Sequence, residues 1–385
     1  MLDKQAVIPD ILRQHVEGAS FFWMQRGRLF HDPEMGTAQL GRNDLRLSAH
    51  LAAAMASGPD TLAEAERRFE DFPEDGEIFA WLAPALLAED PSIPHILERV
   101  AVADPKAWRG ASGAVAWVSI DALKPFVSAW SKSHKPLQRY LALSAFTHYR
   151  VDPGDELTRY LRDTDHHVRA RALRLAGELG NLDRLPKILA AMTTANDPTE
   201  QFWAARSAML LGDRSASSRS MRKIAEGNTL HADAALELVV LSETGDELRR
   251  WLGTLIQTPD RRAAAIEISG LVDDPAVIHW LLSKCTDPSD ATAVTRALRI
   301  ALPFDLEDAN VLISDPDLLP SGFAGLDGGP WAVADRVRTV LDAEKQPEPF
   351  TNLPSLRQKA LAAALNTPGH ILSEWRAFAP YPAWS

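Results

Sequence analysis

The chain runs to 385 residues, longer than a single compact core reaches, so it is either multidomain or extended. Hydrophobic residues make up 46% and charged residues 24%, a balance that excludes intrinsic disorder. The formal net charge of −11 disfavours a phosphate-gripping groove and hence a nucleic-acid partner, and the single cysteine, Cys285, excludes an internal disulfide or zinc–thiolate cluster and fits a reducing cytoplasm.

The N-terminal MLDKQAVIPDILRQ lacks the apolar core of a signal peptide. No apolar run approaches the ~18 residues that a bilayer span needs. The expected location is therefore cytoplasmic, with no membrane contact. Residues 1–75 read as an N-terminal helical cap of longer helices, with Ile8, Ile11, Leu12, His15, Phe22 and Arg26 on one face.

Internal repetition dominates residues 76–302. The segment RARALRLAGELGNLDRLPKIL (169–189) is echoed by WAARSAMLLGDRSASSRSMRKIA (203–225), DAALELVVLSETGDELRRWLGTL (233–255) and AAAIEISGLVDDPAVIHWLLSKC (263–285), and upstream by LALSAFTHYRVDPGDELTRYL (141–161). Alignment puts Ala142, Ala172, Ala204, Ala234, Ala264 and Val294 in one column, at steps of 30, 32, 30, 30 and 30. Four residues on stand Phe146, Ala176, Ala208, Leu238, Ile268 and Leu298; three further on stand Tyr149, Leu179, Leu211, Leu241, Leu271 and Ala301. Positions i, i+4 and i+7 describe one face of an α-helix. Turn signals follow each face: Asp152-Pro153-Gly154, Gly180-Asn181, Gly212-Asp213, Thr244-Gly245 and Asp273-Asp274-Pro275. A second, shorter amphipathic stretch closes each unit, as at Leu248, Trp251, Leu252 and Leu255.

Each unit thus reads as helix, turn, helix, and such a pair buries its apolar face only by stacking on its neighbours. The rhythm continues less cleanly upstream through 108–130 and 77–103, giving seven or eight units. The expected fold is all-α: an α-solenoid of HEAT-like helix-pair repeats with helical caps at both ends. Residues 303–385 form the C-terminal cap, rich in Pro and Gly at first, then helical over 331–342 and 353–365.

The units resemble HEAT repeats of the short bacterial kind, including those named for phycobilisome lyases. Four segments sharpen the likeness: VIPDILRQHVEGASFFWMQR (7–26), NDLRLSAHL (43–51), THYRVDPG (147–154) and FWAARSAMLLGD (202–213). With them the chain resembles a proteobacterial family of HEAT-repeat proteins often encoded in type VI secretion gene clusters. Gln201 departs from the pattern, standing where the repeat usually carries Arg, and several middle units lack the Asp…Val-Arg signature. The resemblance implies an accessory, chaperone-like adaptor that loads a secreted effector onto the spike or holds it before delivery. It carries over no catalytic residue.

The densest charged motif is DTDHHVRARALR (163–174). Asp165 and Arg169 are spaced to pair across one helical turn. Arg159, Arg162, Arg169, Arg171 and Arg174 would form a basic strip if they shared a face, although a structural, ladder-forming role outweighs that reading. His166 and His167 are adjacent and share no helical face, His15 has no histidine four residues on, and no metal site is expected. Phosphate loops and nucleophile elbows are missing, and Cys285 reads as a packing residue, so neither cofactor nor catalytic set is expected.

Of eleven tryptophans, Trp81, Trp117, Trp130, Trp203, Trp251 and Trp280 fall within repeats, mostly as core. Second helices line the concave face of HEAT solenoids, which makes Arg249, Trp251, His279 and Trp280 candidate partner contacts, with Arg169 from the charged motif. Trp23, beside Phe21 and Phe22, is a further candidate because three adjacent aromatics exceed one buried stripe. The expected function is a non-catalytic scaffold for a secretion effector or spike-associated protein. The alternatives are a HEAT-like enzyme, of the DNA glycosylase or bilin lyase type, and a self-associating structural subunit.

Overall fold

The computed structural model describes residues 8–326, 328–343 and 347–372. These contain twenty α-helices and one two-stranded ladder of two residues per strand, so the fold is all-helical.

The N-terminal helices are α1 (Pro9–Leu29), α2 (Thr37–Met55) and α3 (Asp60–Asp71). Helix α1 buries Leu12, Val16, Ala19, Ser20, Trp23 and Arg26; of the face expected from sequence, Leu12 and Arg26 are buried, Ile8 and Ile11 are exposed, and His15 and Phe22 turn towards His50 of α2. Ala19 and Val16 displace the larger residues because α1 must approach two neighbours, α2 and the helix that follows α3.

Helix pairs follow: α4 (Asp75–Leu87) with α5 (Ile93–Ala101), α6 (Trp108–Trp117) with α7 (Ile120–Trp130), α8 (Pro136–His148) with α9 (Glu156–Tyr160), and α10 (His166–Glu178) with α11 (Leu185–Thr194). Then come α12 (Pro198–Leu210) with α13 (Ala216–Glu226), α14 (Ala232–Ser242) with α15 (Asp246–Ile256), and α16 (Pro259–Ser269) with α17 (Pro275–Lys284), before α18 (Ala291–Ala301). The six small-residue positions fall one each in α8, α10, α12, α14, α16 and α18. Ala142, Ala172, Ala204 and Val294 are wholly buried there. Each expected turn breaks a helix: Gly154, Gly180, Gly212 and Gly245 adopt positive φ, and Asp274 caps α17 ahead of Pro275.

A ladder of side chains ties successive pairs. Arg139, Arg169 and Arg262 each donate to the carbonyl six residues back, at 3.0, 2.7 and 2.8 Å. Each also forms a bidentate pair with a carboxylate at the start of the next unit: Asp163 at 2.7 and 2.8 Å, Glu200 at 2.9 and 2.6 Å, Asp290 at 2.7 and 2.6 Å. Gln201 keeps the carbonyl bond, to Ala195 at 2.9 Å, but not the bridge, because an amide has no charge and too little reach. Arg169 therefore does not pair with Asp165. The Asp165 carboxylate instead caps its own helix, accepting from the amides of His167 and Val168.

After α18 the chain forms β1 (Leu312–Ile313) antiparallel to β2 (Trp331–Ala332), then α19 (Ala334–Leu341) and α20 (Leu353–Asn366). Helix was expected from 331. Trp331 and Ala332 instead pair with β1 and are buried against α18, where the Ala332 amide donates to the Thr295 hydroxyl at 2.9 Å. Helix α20 packs on α12 and α14. Its Leu361 and Leu365 are buried, worth about 1.5–3 kcal/mol each. Arg214 donates to the Leu365 carbonyl at its C-terminal end, where helix carbonyls lack internal donors.

The segment between α1 and α2 meets α18 and the start of α20. Leu353 donates its amide to the Met35 carbonyl at 2.8 Å, Phe30, Leu40 and Leu353 form one apolar cluster, and Arg299 pairs with Glu34 at 2.8 Å. Beyond α20 the backbone crosses the end of α10, where the Leu372 amide donates to the Glu178 carbonyl at 3.0 Å. That crossing needs Gly180: a Cβ there would sit 2.4 Å from the Gly369 carbonyl oxygen. No described helix is long and apolar enough to cross a membrane.

Candidate ligand cavity

Several helices present arginines to one shared space. Arg174 comes from α10, Arg206 from α12, and Arg296 and Arg299 from α18. They face α1, which contributes Trp23 and Arg26, and α20, which contributes Arg357. Between these elements lies a cavity of about 1230 Å³. Its described wall carries eight arginines and six carboxylates, a formal +2 on a chain of −11.

At one end Arg26 and Asp44 form a buried bidentate pair, at 2.8 and 3.2 Å, with Arg26 also 5.4 Å from the Phe30 ring centroid. Burial lowers the Arg26 pKa and the Asp44 charge opposes it. Trp23 is stacked on Phe79 at 5.1 Å, with the Arg109 guanidinium 5.3 Å above its ring. Gly113 makes that stacking feasible, since a Cβ there would meet the indole at 2.4 Å.

In the middle, Trp203 lies within 4.8 Å of the Arg174 guanidinium and 5.2 Å of that of Arg206, both cation–π contacts. Phe202 stacks on His231 at 4.4 Å, and burial lowers the His231 pKa.

Behind Trp203 sits a buried charge cluster. Glu178, fully enclosed, accepts from Arg150 at 2.7 Å, Arg174 at 2.8 Å and Arg206 at 3.3 Å. Burial alone would push its carboxyl up, but Arg174, Arg150 and Arg206 outweigh it and hold the group well below the usual carboxylate range. Arg171 is buried beside them with its guanidinium 5.6 Å from the Tyr140 ring and 3.4 Å from the Ser112 hydroxyl. Its Nε has no hydrogen-bond partner, and burial pushes its pKa down to about 10. His148 Nε2 lies 3.1 Å from the Ser112 carbonyl, and burial together with the charges of Arg171, Arg174 and Arg150 holds its pKa well below the ordinary value.

Of the candidate contacts read from sequence, the cavity contains Trp23 alone. Trp23 is itself 7% exposed, and Phe21 is the exposed member of its aromatic trio. The other five lie elsewhere. Arg169 belongs to the ladder, and Arg249 pairs on the surface with Asp246 and Asp274. Trp251 is buried and donates to Glu226 at 2.8 Å, His279 is exposed, and Trp280 is half-buried in the apolar cluster around α17 and α18. The expected concave surface of second helices is thus not where the cavity lies. No described lining residue comes from α11, α13, α15 or α17. The expected basic strip is also divided: Arg159 and Arg162 face solvent, Arg169 bridges units, and only Arg171 and Arg174 turn inward.

Sequence reading missed Arg26, Arg109, Arg206, Arg296 and Arg299. Their signal was arginine inside an otherwise apolar helix run, as with Arg206 in FWAARSAML and Arg296 and Arg299 in ATAVTRALRIA. The segments carrying the family resemblance supply Trp23, Arg26, Asp44, His148, Arg150, Trp203 and Arg206 to this region.

Cys285 is buried, with its thiol pushed up to about 11 by burial, and packs among apolar residues. No group of three or more His, Cys, Asp or Glu among the described residues is placed to hold a metal. A scan of protein-family models, a search of curated proteins and a search of solved structures each found no match.

Proposed function

We propose that the protein is a non-catalytic binding scaffold, an α-solenoid of HEAT-like helix pairs that holds a segment of a partner protein in the cavity between its first helices, α1 and α20. The setting implied by the sequence resemblance is type VI secretion in the cytoplasm, with the chain acting as a chaperone-like adaptor for effector loading. The observation that carries this reading is the cavity wall. It is large, built from rigid helices, and faced with aromatic rings and guanidiniums, the residue types that dominate protein-binding hot spots. Its described lining sets eight guanidiniums among six carboxylates, groups suited to charge-assisted recognition of a polar chain. The test is affinity purification of the tagged chain from its native bacterium, read by mass spectrometry. Recovery of an effector or spike component supports the adaptor; its absence from repeated purifications removes that role.

A second reading draws on the same positive, Trp-lined wall: a nucleic-acid enzyme of the DNA glycosylase type. Six carboxylates among the arginines weigh against it, since they would repel a continuous phosphate backbone. Duplex DNA binding that falls steeply with salt would revive it.

A further inference from the structure

The arginines of the cavity wall differ in how firmly they are held. Arg26, Arg174 and Arg299 pair with carboxylates at 2.8 Å. Arg109 and Arg296 reach theirs, Asp75 and Glu267, only at 3.4 Å, beyond the ~2.7–2.9 Å of a good charge-assisted bond. Their side chains remain 54% and 59% exposed. Arg28 is exposed on the same wall with no ion pair among the described residues. Three guanidiniums thus face the cavity with donors to spare.

Two further observations indicate what they would meet. Leu230, on the same wall as the half-buried Trp203, is 85% exposed, an apolar side chain presented to the space. The volume of about 1230 Å³ also exceeds the roughly 300–1,000 Å³ of ordinary small-molecule pockets.

We propose that the cavity takes an acidic segment of a partner polypeptide, its carboxylates received by Arg28, Arg109 and Arg296 and an apolar side chain seated against Leu230 and Trp203. This rests on the scaffold reading and specifies the class of partner. Interspersed Glu34, Glu237 and Glu267 make the wall alternating in sign, which suits separated carboxylates and opposes evenly spaced phosphates. Bidentate guanidinium–carboxylate pairing supplies the specificity, and rings that need little ordering supply contact area.

The test uses the full chain and three fluorescein-labelled probes: a twelve-residue peptide alternating Glu and Asp with Leu and Trp, its Gln/Asn counterpart, and a twelve-nucleotide single strand of DNA. Fluorescence anisotropy should show the acidic peptide binding at least about tenfold tighter than the neutral one, and weakening as salt rises. The R28E/R296E double variant, altered only at exposed positions, should lose about tenfold in affinity, while R249A on the outer face should lose none. Equal binding of both peptides, preference for the DNA strand, or an unchanged double variant overturns the proposal. A partner recovered from cells whose capture is indifferent to R28E/R296E would overturn the acidic class yet leave the scaffold standing. Recovery of no partner at all would remove both.

Discussion

Replacing Glu178 by glutamine tests the buried cluster behind Trp203. The carboxylate is fully enclosed and accepts three guanidinium bonds, at 2.7, 2.8 and 3.3 Å. Three charge-assisted bonds at about 1.5–3 kcal/mol each bound the loss from above at about 9 kcal/mol. Glutamine keeps one acceptor oxygen and the same shape, which brings the expected loss to the ~3–5 kcal/mol typical of removing one partner from a buried ion pair. Urea unfolding at pH 7 reads it as a lower midpoint at unchanged slope. The pH dependence gives a second arm. Glu178 has a folded pKa depressed below its unfolded value, so its stabilisation is fully present above about pH 4.3 and is lost as pH falls towards the folded value. The wild type should therefore lose stability below about pH 4.3 more steeply than E178Q, by up to about 1.4 kcal/mol per pH unit. A loss under about 1 kcal/mol at pH 7, or parallel acid limbs, would refute the reasoning.

Three further outcomes are expected. Removing the bridge with R262A should cost about 2 kcal/mol in urea midpoint analysis, whereas Q201A, which breaks only a neutral carbonyl bond, should cost about 1 kcal/mol or less. His148 stays neutral in the fold while its unfolded counterpart protonates near pH 6.5; stability should thus fall as pH drops from 7 to 5, and H148Q should shallow that slope. G180A forces a Cβ against the Gly369 carbonyl at a positive φ, costing about 1–2 kcal/mol for the backbone alone, and should expose residues 367–372 to limited proteolysis.

The helix-pair rhythm was legible because it is written in small and apolar residues whose positions depend only on local helix geometry. The small-residue column from Ala142 to Val294 fell one position to a helix, although Ala234 is exposed and Tyr149, Leu179, Leu211 and Leu271 of the third column lie just past their helix ends, and each turn signal broke a helix. The ladder was half legible: Arg169 and the odd Gln201 stood out, but the carboxylate partner of Arg169, Glu200, lies a unit away in the chain, so the local Asp165 was the wrong choice. The stripe of α1 was misplaced in part because Ile8 and Ile11 look like core by hydropathy, while close approach to two helices selects Val16 and Ala19. The cavity was the least legible feature. It arises where α1, α18 and α20 come together, a contact between residues as distant as Glu34 and Arg299 that no period records. The tryptophans drew attention to second helices, yet Trp251 is core, and the wall takes its arginines from several other helices.

In the proposed scaffold the partner enters the cavity and not the outer helix surface. A photo-crosslinking amino acid placed at Leu230, which is exposed on the cavity wall, and separately at His279, exposed on α17, decides between them in the native bacterium. Irradiation should join the Leu230 derivative to one discrete protein, identified by mass spectrometry as an effector or spike component, and leave the His279 derivative unattached. Crosslinks from His279 alone, or from neither position, would contradict the claim.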